Sequence, residues 1–477
     1  MRDKKFIENY KNIGIIGIAR SGISVARLLK RYGINIFLSD YSDKSKFSDI
    51  DLSVFDDAIE FGGHSEKLFD MDAIVVSPGV PLSSSIFKKI KEKNIPIFGE
   101  IDIAYKFTHP DTKIIAVTGS NGKSTTVSLI YHILKEKGFD VILAGNIGDA
   151  YSGFDVETQR DFIVLELSSF QLELVGSLRA DVAAILNITP DHLNRYASLW
   201  HYAMAKFNIF NNSTENDLNI LGYDSDIVLE NITSKGGESV IAEHALQKHH
   251  IHNYSFFSTK STDEKKIDAF IKDNDIYIKG KKVMENIHLL PLKGPHTYQN
   301  ILASLLAVSS YIDFTDIFSI ISSFKPLEHR MEHFLEFNGV EFVNDSKATN
   351  TESVKNALKS YDKPIHLILG GSDKGEDFKD LFDDFDGEIK KLYLIGETAE
   401  KMSKDFMGKY PLEIFNDFES AIKDTIKNSE RGDIVLLSPA CASFDWFQNY
   451  EDRGKKFKAL VRKLTIDNWQ WTIGFAE

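Results

Sequence analysis

Cysteine is nearly absent from this chain: Cys441 is the only one among 477 residues. No intrachain disulfide can form, and a reducing cytoplasm is the natural compartment for such a composition. Long apolar runs are missing as well. No stretch is long and apolar enough to span a bilayer, and the charged start Met1-Arg2-Asp3-Lys4-Lys5 is not followed by an apolar run of signal-peptide length. A cytoplasmic protein with no membrane partner is expected. Basic excess is the third absence: Lys+Arg 56 against Asp+Glu 70 gives a formal net charge of −14. A net-acidic chain without a long basic run is a poor candidate for binding nucleic acid or an anionic membrane, while a local basic site for phosphates stays compatible with the balance. What remains, 43% hydrophobic and 26% charged residues, is the composition of an ordinary globular protein. At about 150 residues per domain, the length predicts roughly three domains.

The stretch around which the chain is organised is 114–126, Ile-Ile-Ala-Val-Thr-Gly-Ser-Asn-Gly-Lys-Ser-Thr-Thr. An apolar strand ends in a Gly-bracketed turn, and Val127, Ile130, Ile133 and Leu134 then recur at helical spacing. Such a loop aims backbone N–H groups at a helix N-terminus, where phosphate can be cradled. Gly119 and Gly122 allow close approach, Lys123 adds a point charge, and the hydroxyl of Ser124 or Thr125 can hold Mg²⁺. The longer Gly-x-x-x-x-Gly-Lys pattern needs glycine at 117, where Val117 stands, so the loop is a shortened Gly-x-x-Gly-Lys-Ser variant.

The N-terminal part opens with a βαβ unit: apolar residues 13–18, a turn at Ala19-Arg20-Ser21-Gly22, a helix through Tyr32, and a strand 34–39 that ends at Asp40. From Gly17 the turn reads Gly-x-Ala-x-x-Gly, so the middle glycine that admits a dinucleotide pyrophosphate is missing and a mononucleotide-type ligand is favoured over NAD. The strand Ala73–Val76 leads into Ser77-Pro78-Gly79, at the strand end where ligands of open α/β sheets bind. His109-Pro110-Asp111 reads as a linker.

Beyond the phosphate loop, strand 141–144 ends near Asn146, and strand 162–165 runs straight into Glu166, Ser168 and Ser169, a carboxylate placed to hold Mg²⁺. A further apolar strand within 180–188 ends in Asp191-His192, a second metal or phosphate ligand pair by position. Lys206 sits among Met204, Phe207 and Phe210 in a helix over 198–210, where a lysine ordinarily snorkels to solvent. Short strands, polar turns and a charged helix near 262–272 are expected over 219–290. His244, His249, His250 and His252 lack an acid or cysteine at ligand spacing and read as a solvated stretch. Residues 294–300 are expected to cap a helix over 301–308.

Past a second linker at 324–330, strands end repeatedly in small polar residues: Asn344-Asp345-Ser346-Lys347-Ala348-Thr349-Asn350, Gly370-Gly371-Ser372-Asp373-Lys374, and Ser438-Pro439-Ala440-Cys441-Ala442-Ser443-Phe444-Asp445. One shared sheet rim is implied. The reading is α/β throughout, in three domains: a Rossmann-like domain over 1–107, a central P-loop ATPase-like parallel sheet over 108–326, and a C-terminal Rossmann-like domain over 327–477. The aromatic tail with Trp469, Trp471 and Phe475 carries no chemical reading.

These stretches together resemble the Mur ligases over nearly the whole chain. The resemblance rests on Gly-Ser-Asn-Gly-Lys-Ser-Thr at 119–125, Glu-Leu-Ser-Ser-Phe-Gln-Leu-Glu at 166–173, Asp-His at 191–192, His-Arg at 329–330, Asn-Asp-Ser-Lys-Ala-Thr-Asn at 344–350 and the 437–445 segment. The 166–173 and 437–445 segments point to the member that adds D-glutamate. It implies an ATP-dependent amide ligase of peptidoglycan synthesis, hence of cell-wall biogenesis, cell shape and division, working as a monomer on UDP-N-acetylmuramoyl-L-alanine, D-glutamate and ATP. An acyl phosphate would precede amide formation, with ADP and phosphate as by-products.

By position, the resemblance implies that Gly119, Asn121, Gly122, Lys123, Ser124 and Thr125 hold ATP phosphates, with Lys123 catalytic. Asn300, Arg330 and Asp345 would take adenine, phosphate and ribose, with Lys347 at the phosphate end. Two Mg²⁺ ions would fall to Ser124, Glu166, His192 and a carbamylated Lys206, the last two also catalytic. Arg20, Ser21, Asp40, Ser77, Gly79, Asn146 and Ser168 would hold the uridine substrate, and Thr349, Lys374, Ser443 and Phe444 D-glutamate. Taken without the resemblance, the residues leave open a nicotinamide-dependent dehydrogenase and a nucleotide-binding protein without turnover.

Overall fold

The computed structural model describes the chain apart from residues 4, 49, 56, 57, 193, 194, 226–252, 293, 326, 376, 384 and 474–477. The histidine-rich stretch at 244–252 and Phe475 lie outside the described residues. The chain divides into two compact units. One is Met1–Pro190 with Arg195–Pro291 and Thr297–Phe324; the other is Lys325–Glu477 with Asp191–Asn194 and Leu292–His296.

The first unit holds two sheets. Strands β1 (Asn12–Ile16), β2 (Asn35–Asp40), β3 (Ile59–Phe61), β4 (Ala73–Val76) and β5 (Ile97–Gly99) pair in parallel in the order β3-β2-β1-β4-β5. The chain moves outward on one side of β1 and then crosses to the other, so the strand order reverses between β1 and β4. Helices cover both faces of such a sheet, which is why Ile13, Ile15 and Ile16 of β1 and all of β4 are buried rather than alternating.

The second sheet follows the order β14-β13-β12-β11-β10-β9-β6-β8-β7. Its strands are β6 (Lys113–Thr118), β7 (Val141–Gly145), β8 (Phe162–Glu166), β9 (Val182–Ile185), β10 (Leu218–Gly222), β11 (Tyr254–Ser258), β12 (Ala269–Lys272), β13 (Asp275–Ile278) and β14 (Lys281–Met284). Pairing is parallel from β7 to β12 and antiparallel in the last two ladders. One apolar core runs through both sheets, with Phe6, Ile13, Phe107, Ile114, Tyr151 and Val156 among its members. The buried Asp102 carboxylate ties the helix Glu100–Phe107 to the turn before β9 by accepting from the N–H groups of Gly176, Ser177 and Leu178.

The second unit has a sheet of order β15-β16-β20-β17-β18-β19, from β15 (Glu332–Phe337), β16 (Val340–Asn344), β17 (Ile365–Gly370), β18 (Ile389–Ile395), β19 (Leu412–Ile414) and β20 (Ile434–Leu437). Its strands are parallel except for the β15/β16 hairpin. The order reverses around β20, so the ends of β16, β20 and β17 share one rim.

Two local expectations need correction. Instead of a charged helix near 262–272, the chain enters β12 and turns back through Asp273 and Asn274, both with positive φ (52° and 66°). A two-residue turn with both central residues left-handed matches the twist of a hairpin, and the β12/β13 ladder outweighs the helical look of the charges. Residues 295–300 do not cap a helix but form its first turns, since that helix spans Pro295–Val308. The aromatic tail continues a long helix, Tyr450–Ile473, that local patterning left unread.

Candidate active site

The phosphate loop joins β6 to the helix Lys123–Glu136, with Gly122 at its N-cap in the left-handed region (φ 84°). A β-carbon at Gly122 would lie 2.3 Å from Oδ1 of Asn300, so this position requires glycine for space as well as for conformation. Asn300 is buried, and its Oδ1 accepts from Thr126 Oγ1 at 3.2 Å. The end of β9 braces the other side of the loop. The N–H of Asn121 donates to Asn187 Oδ1 (2.8 Å), Asn187 returns a bond to the Asn121 carbonyl (3.1 Å), and Ser120 Oγ donates to the Thr189 carbonyl (2.9 Å).

Two lysines converge on this loop. Lys123 Nζ donates to the carbonyls of Gly119 and Ser120, each at 2.8 Å. Lys206 Nζ, from the helix Leu199–Phe207, also donates to the Gly119 carbonyl at 2.8 Å and lies 4.5 Å from the centre of the Tyr202 ring. Lys206 is 1% exposed, so the snorkelling expectation fails: the helix turns this side chain inward, and the loop carbonyl and aromatic face receive the ammonium. Ser124 is buried in the first turn of its helix, beside the more open Thr125.

Glu166 ends β8, in register with Val117 of β6, and is 1% exposed; it accepts from Asn146 Nδ2 at 2.8 Å. Two oxygen-bearing side chains, Glu166 and Ser124, therefore lie at the carboxyl-end rim of one sheet. The Ser168 hydroxyl caps the short helix Ser169–Leu172, reciprocally with Gln171. His192 has a left-handed backbone (φ 55°), and its Nε2 lies 3.6 Å from Oδ2 of Asp191.

At the order reversal of the first sheet lies a cavity of about 970 Å³. Arg20, Ser21, Asp40, Ser77, Gly79 and Asn146, six of the seven residues expected at the uridine substrate, line it together. Ser77 Oγ donates to the Gly17 carbonyl (2.7 Å), and Asp40 accepts from the N–H groups of Ile18 (2.7 Å) and Ser42 (2.8 Å). The seventh, Ser168, is not among the lining residues, although its capping partner Gln171 is.

In the second unit, Asp345 at the end of β16 is buried, accepting from Ser438 Oγ (2.8 Å) and Met331 N–H (3.2 Å). Burial pushes its carboxyl up to about 7 against those two bonds. Lys347 donates to the Tyr450 hydroxyl (3.1 Å) and lies over that ring, and Lys374 donates to the carbonyl of Thr349 (3.2 Å). Ser443 is buried, whereas Phe444 is 74% exposed. Before Arg330, the buried His329 accepts on Nδ1 from Asn344 Nδ2 (2.8 Å), and burial holds its pKa below the usual imidazole range. Glu328, His329 and Glu332 crowd as a metal group would, but Lys458 already bridges the two carboxylates as their cation.

Residues 11–99, 117–308 and 329–441 match, in turn, the family models for the MurD-like N-terminal domain of Mur ligases, the Mur ligase middle domain, and the Mur ligase glutamate ligase domain. The chain is 38% identical over 464 residues to the UDP-N-acetylmuramoylalanine–D-glutamate ligase of Koribacter versatilis, an alignment covering 95% of this chain and 98% of that one. The chain belongs to the Mur ligase family. Relatives bearing the same name in Clostridioides difficile and Cytophaga hutchinsonii are 38% and 39% identical, each over 95% of this Mur ligase and 99% of the relative. Its fold is also that of the pseudomurein peptide ligase type C from Methanothermus fervidus, at 19% identity and a TM-score of 0.57 over 95% of this chain and all of that one. The UDP-N-acetylmuramate–alanine ligase of Thermotoga maritima superposes with a TM-score of 0.55 at 16% identity, over 97% and 99% of the two chains.

One residue of this Mur ligase escaped the sequence reading altogether. Arg453, on the helix Tyr450–Ile473, is fully buried and donates to Ser346 Oγ (3.0 Å) and to the carbonyls of Ser346 (2.8 Å), Cys441 (3.1 Å) and Ala442 (3.2 Å). Desolvation lowers its pKa to about 10, still a cation at neutral pH. It joins the loops after β16 and β20, which carry Lys347, Thr349, Ser443 and Phe444. No local pattern marks an arginine for burial.

Proposed function

We propose that this Mur ligase joins D-glutamate to UDP-N-acetylmuramoyl-L-alanine at the expense of ATP, in the cytoplasm, as a step of peptidoglycan synthesis. The observation that carries the reading is similarity along nearly the full chain to relatives named as D-glutamate ligases. The first sheet supports it with a single cavity lined by six residues expected at the uridine substrate. The domain limits that go with it are 1–107, 108–326 and 327–477.

A carboxylate does not react with an amine, so the substrate's alanyl carboxylate is first phosphorylated by ATP. The amine of D-glutamate then attacks that acyl phosphate and displaces phosphate, leaving ADP and the amide. The chain's contribution is positioning and charge neutralisation. Gly119, Asn121, Gly122 and Thr125 frame the phosphates, and Lys123 turns from the loop carbonyls to the γ-phosphate. Asn300, Arg330, Asp345 and Lys347 hold the nucleotide, while Thr349, Lys374, Ser443 and Phe444 hold D-glutamate.

The donors at the central rim fit a hard divalent cation, because Glu166 and Ser124 both offer oxygen. Ser124 and Glu166 would hold one Mg²⁺ and, as the resemblance implies, His192 and Lys206 would serve a second; such ions would supply charge neutralisation on the phosphoryl oxygens. An ammonium cannot ligate a cation. Addition of CO2 to the neutral amine of Lys206, with loss of one proton, gives a carbamate whose oxygens can. The enzyme acts as a monomer, and nucleic acid has no part in the reaction of so acidic a chain.

The deciding experiment is ADP release with Mg²⁺-ATP and the uridine substrate, comparing D-glutamate, L-glutamate, L-alanine and no amino acid. Release that requires both D-glutamate and the uridine substrate is expected. Release with another amino acid in place of D-glutamate moves the chain to a sibling ligase and overturns the reading.

A further inference from the structure

The cavity at the β1/β4 crossover has one lining residue that no motif singled out, His64. Its surroundings fix which ring nitrogen carries the proton. Ser39, at 0% exposure inside β2, has a single hydroxyl proton and two close partners, Glu60 Oε1 at 2.6 Å and His64 Nδ1 at 2.7 Å, with the Gly63 carbonyl a distant third at 3.4 Å. Glu60 Oε1 also accepts from the Ser65 N–H at 2.9 Å. Burial opposes ionisation of Glu60, but the bonds from Ser39 and Ser65 outweigh it and hold the carboxyl below its usual range. An ionised carboxylate can only accept, so Ser39 must donate to Glu60. The serine oxygen is then left to accept, and His64 must donate to it from Nδ1.

In the neutral ring, a proton on Nδ1 leaves Nε2 as a bare acceptor on the edge turned away from Ser39. The ring is kept neutral by burial, which outweighs the nearby carboxylates of Glu60 and Asp40. Of the other charges lining the cavity, Glu66 and Lys89 are paired with each other at 3.2 Å, and Arg20 donates to the Gly148 carbonyl. The tautomer is therefore set by a fixed chain of Glu60, Ser39 and His64 rather than by solvent.

We propose that His64 is a specificity-determining residue of this cavity, its Nε2 accepting the imide N–H of a uracil base. The proposal rests on the cavity being the uridine site. Uracil offers one ring donor, at N3. Cytosine presents a lone pair at the same atom, and a lone pair facing Nε2 would leave both groups unsatisfied.

The test is calorimetric competition of UDP and CDP for the full-length enzyme, in native, His64→Ala, His64→Gln, Ser39→Ala and Arg20→Ala forms, each first checked for native-like thermal unfolding. The native enzyme should prefer UDP, and His64→Ala should lose about tenfold of that preference. In turnover, KM for the uridine substrate should rise while kcat and KM for D-glutamate stay put. His64→Gln, whose amide oxygen can also accept, should recover part of the UDP preference, and Ser39→Ala, which frees the tautomer, should lose part of it. An unchanged UDP/CDP ratio in His64→Ala, with UDP weakened in Arg20→Ala, overturns the role of His64 and keeps the cavity. UDP affinity unchanged in both variants overturns the cavity reading itself. Loss of preference for UDP over 2′-deoxy-UDP, with the CDP ratio intact, assigns Nε2 to ribose and likewise overturns the proposal.

Discussion

Lys206 reaches the phosphate loop from another helix, its ammonium donating to the Gly119 carbonyl at 2.8 Å. The same carbonyl accepts from Lys123, so one backbone oxygen holds two cations at the turn between β6 and the helix Lys123–Glu136.

Replacing Lys206 by methionine keeps the buried stem and removes the charge. The Lys206→Met enzyme should keep its thermal unfolding midpoint within a few degrees and lose at least about a hundredfold in ATP turnover. If the native side chain is carbamylated, CO2-depleted buffer should lower native turnover and bicarbonate should restore it, with no bicarbonate response in the variant. Near-native turnover of Lys206→Met would remove this residue from the chemistry.

Gly122 carries a double constraint, a left-handed backbone and an Asn300 oxygen 2.3 Å from where a β-carbon would stand. Gly122→Ala should cost roughly 1–2 kcal/mol from conformation alone, plus displacement of Asn300. The expected readout is a KM for ATP raised by tenfold or more with the KM for D-glutamate little changed. A Gly122→Ala enzyme with native ATP affinity would show that the loop relaxes around the added methyl.

Asp345 is raised in the folded protein from 3.8 to about 7 by burial. As pH rises through 4 and toward 7, the unfolded chain loses this proton while the folded one keeps it, so the unfolded state binds fewer protons and stability falls across that window. Above about 7 both states are ionised and the slope from this group vanishes. Denaturant unfolding of the native protein and Asp345→Asn at several pH values should show a smaller decline between pH 4 and 7 in the variant. Equal slopes would mean that Asp345 titrates normally.

Legibility in the sequence followed locality. The phosphate loop, the carboxylate at the end of β8 and the Ser-Pro-Gly turn after β4 could be read because strand, turn and functional residue are contiguous. Whether Lys206 is buried could not be read, since a lysine flanked by apolar residues looks the same whether its tip meets water or a loop carbonyl 87 positions away. The Asp-Asn turn after β12 was legible in principle and was masked by the charges before it, which mimic a helix. His64 lay beyond reach for another reason: nothing in the sequence around it reveals that Ser39 and Glu60 come from adjacent parallel strands to fix its proton. A tautomer is a property of three-dimensional neighbours.

The buried guanidinium of Arg453 follows, in chain order, every strand of the sheet whose loops it joins. The loops after β16 and β20 thus share one cation, carried by a single helix 107 residues beyond Ser346. The carbonyls of Ser346, Cys441 and Ala442 all draw on that one guanidinium, so two loops far apart in the chain are fastened by a single side chain and would loosen together if it were lost.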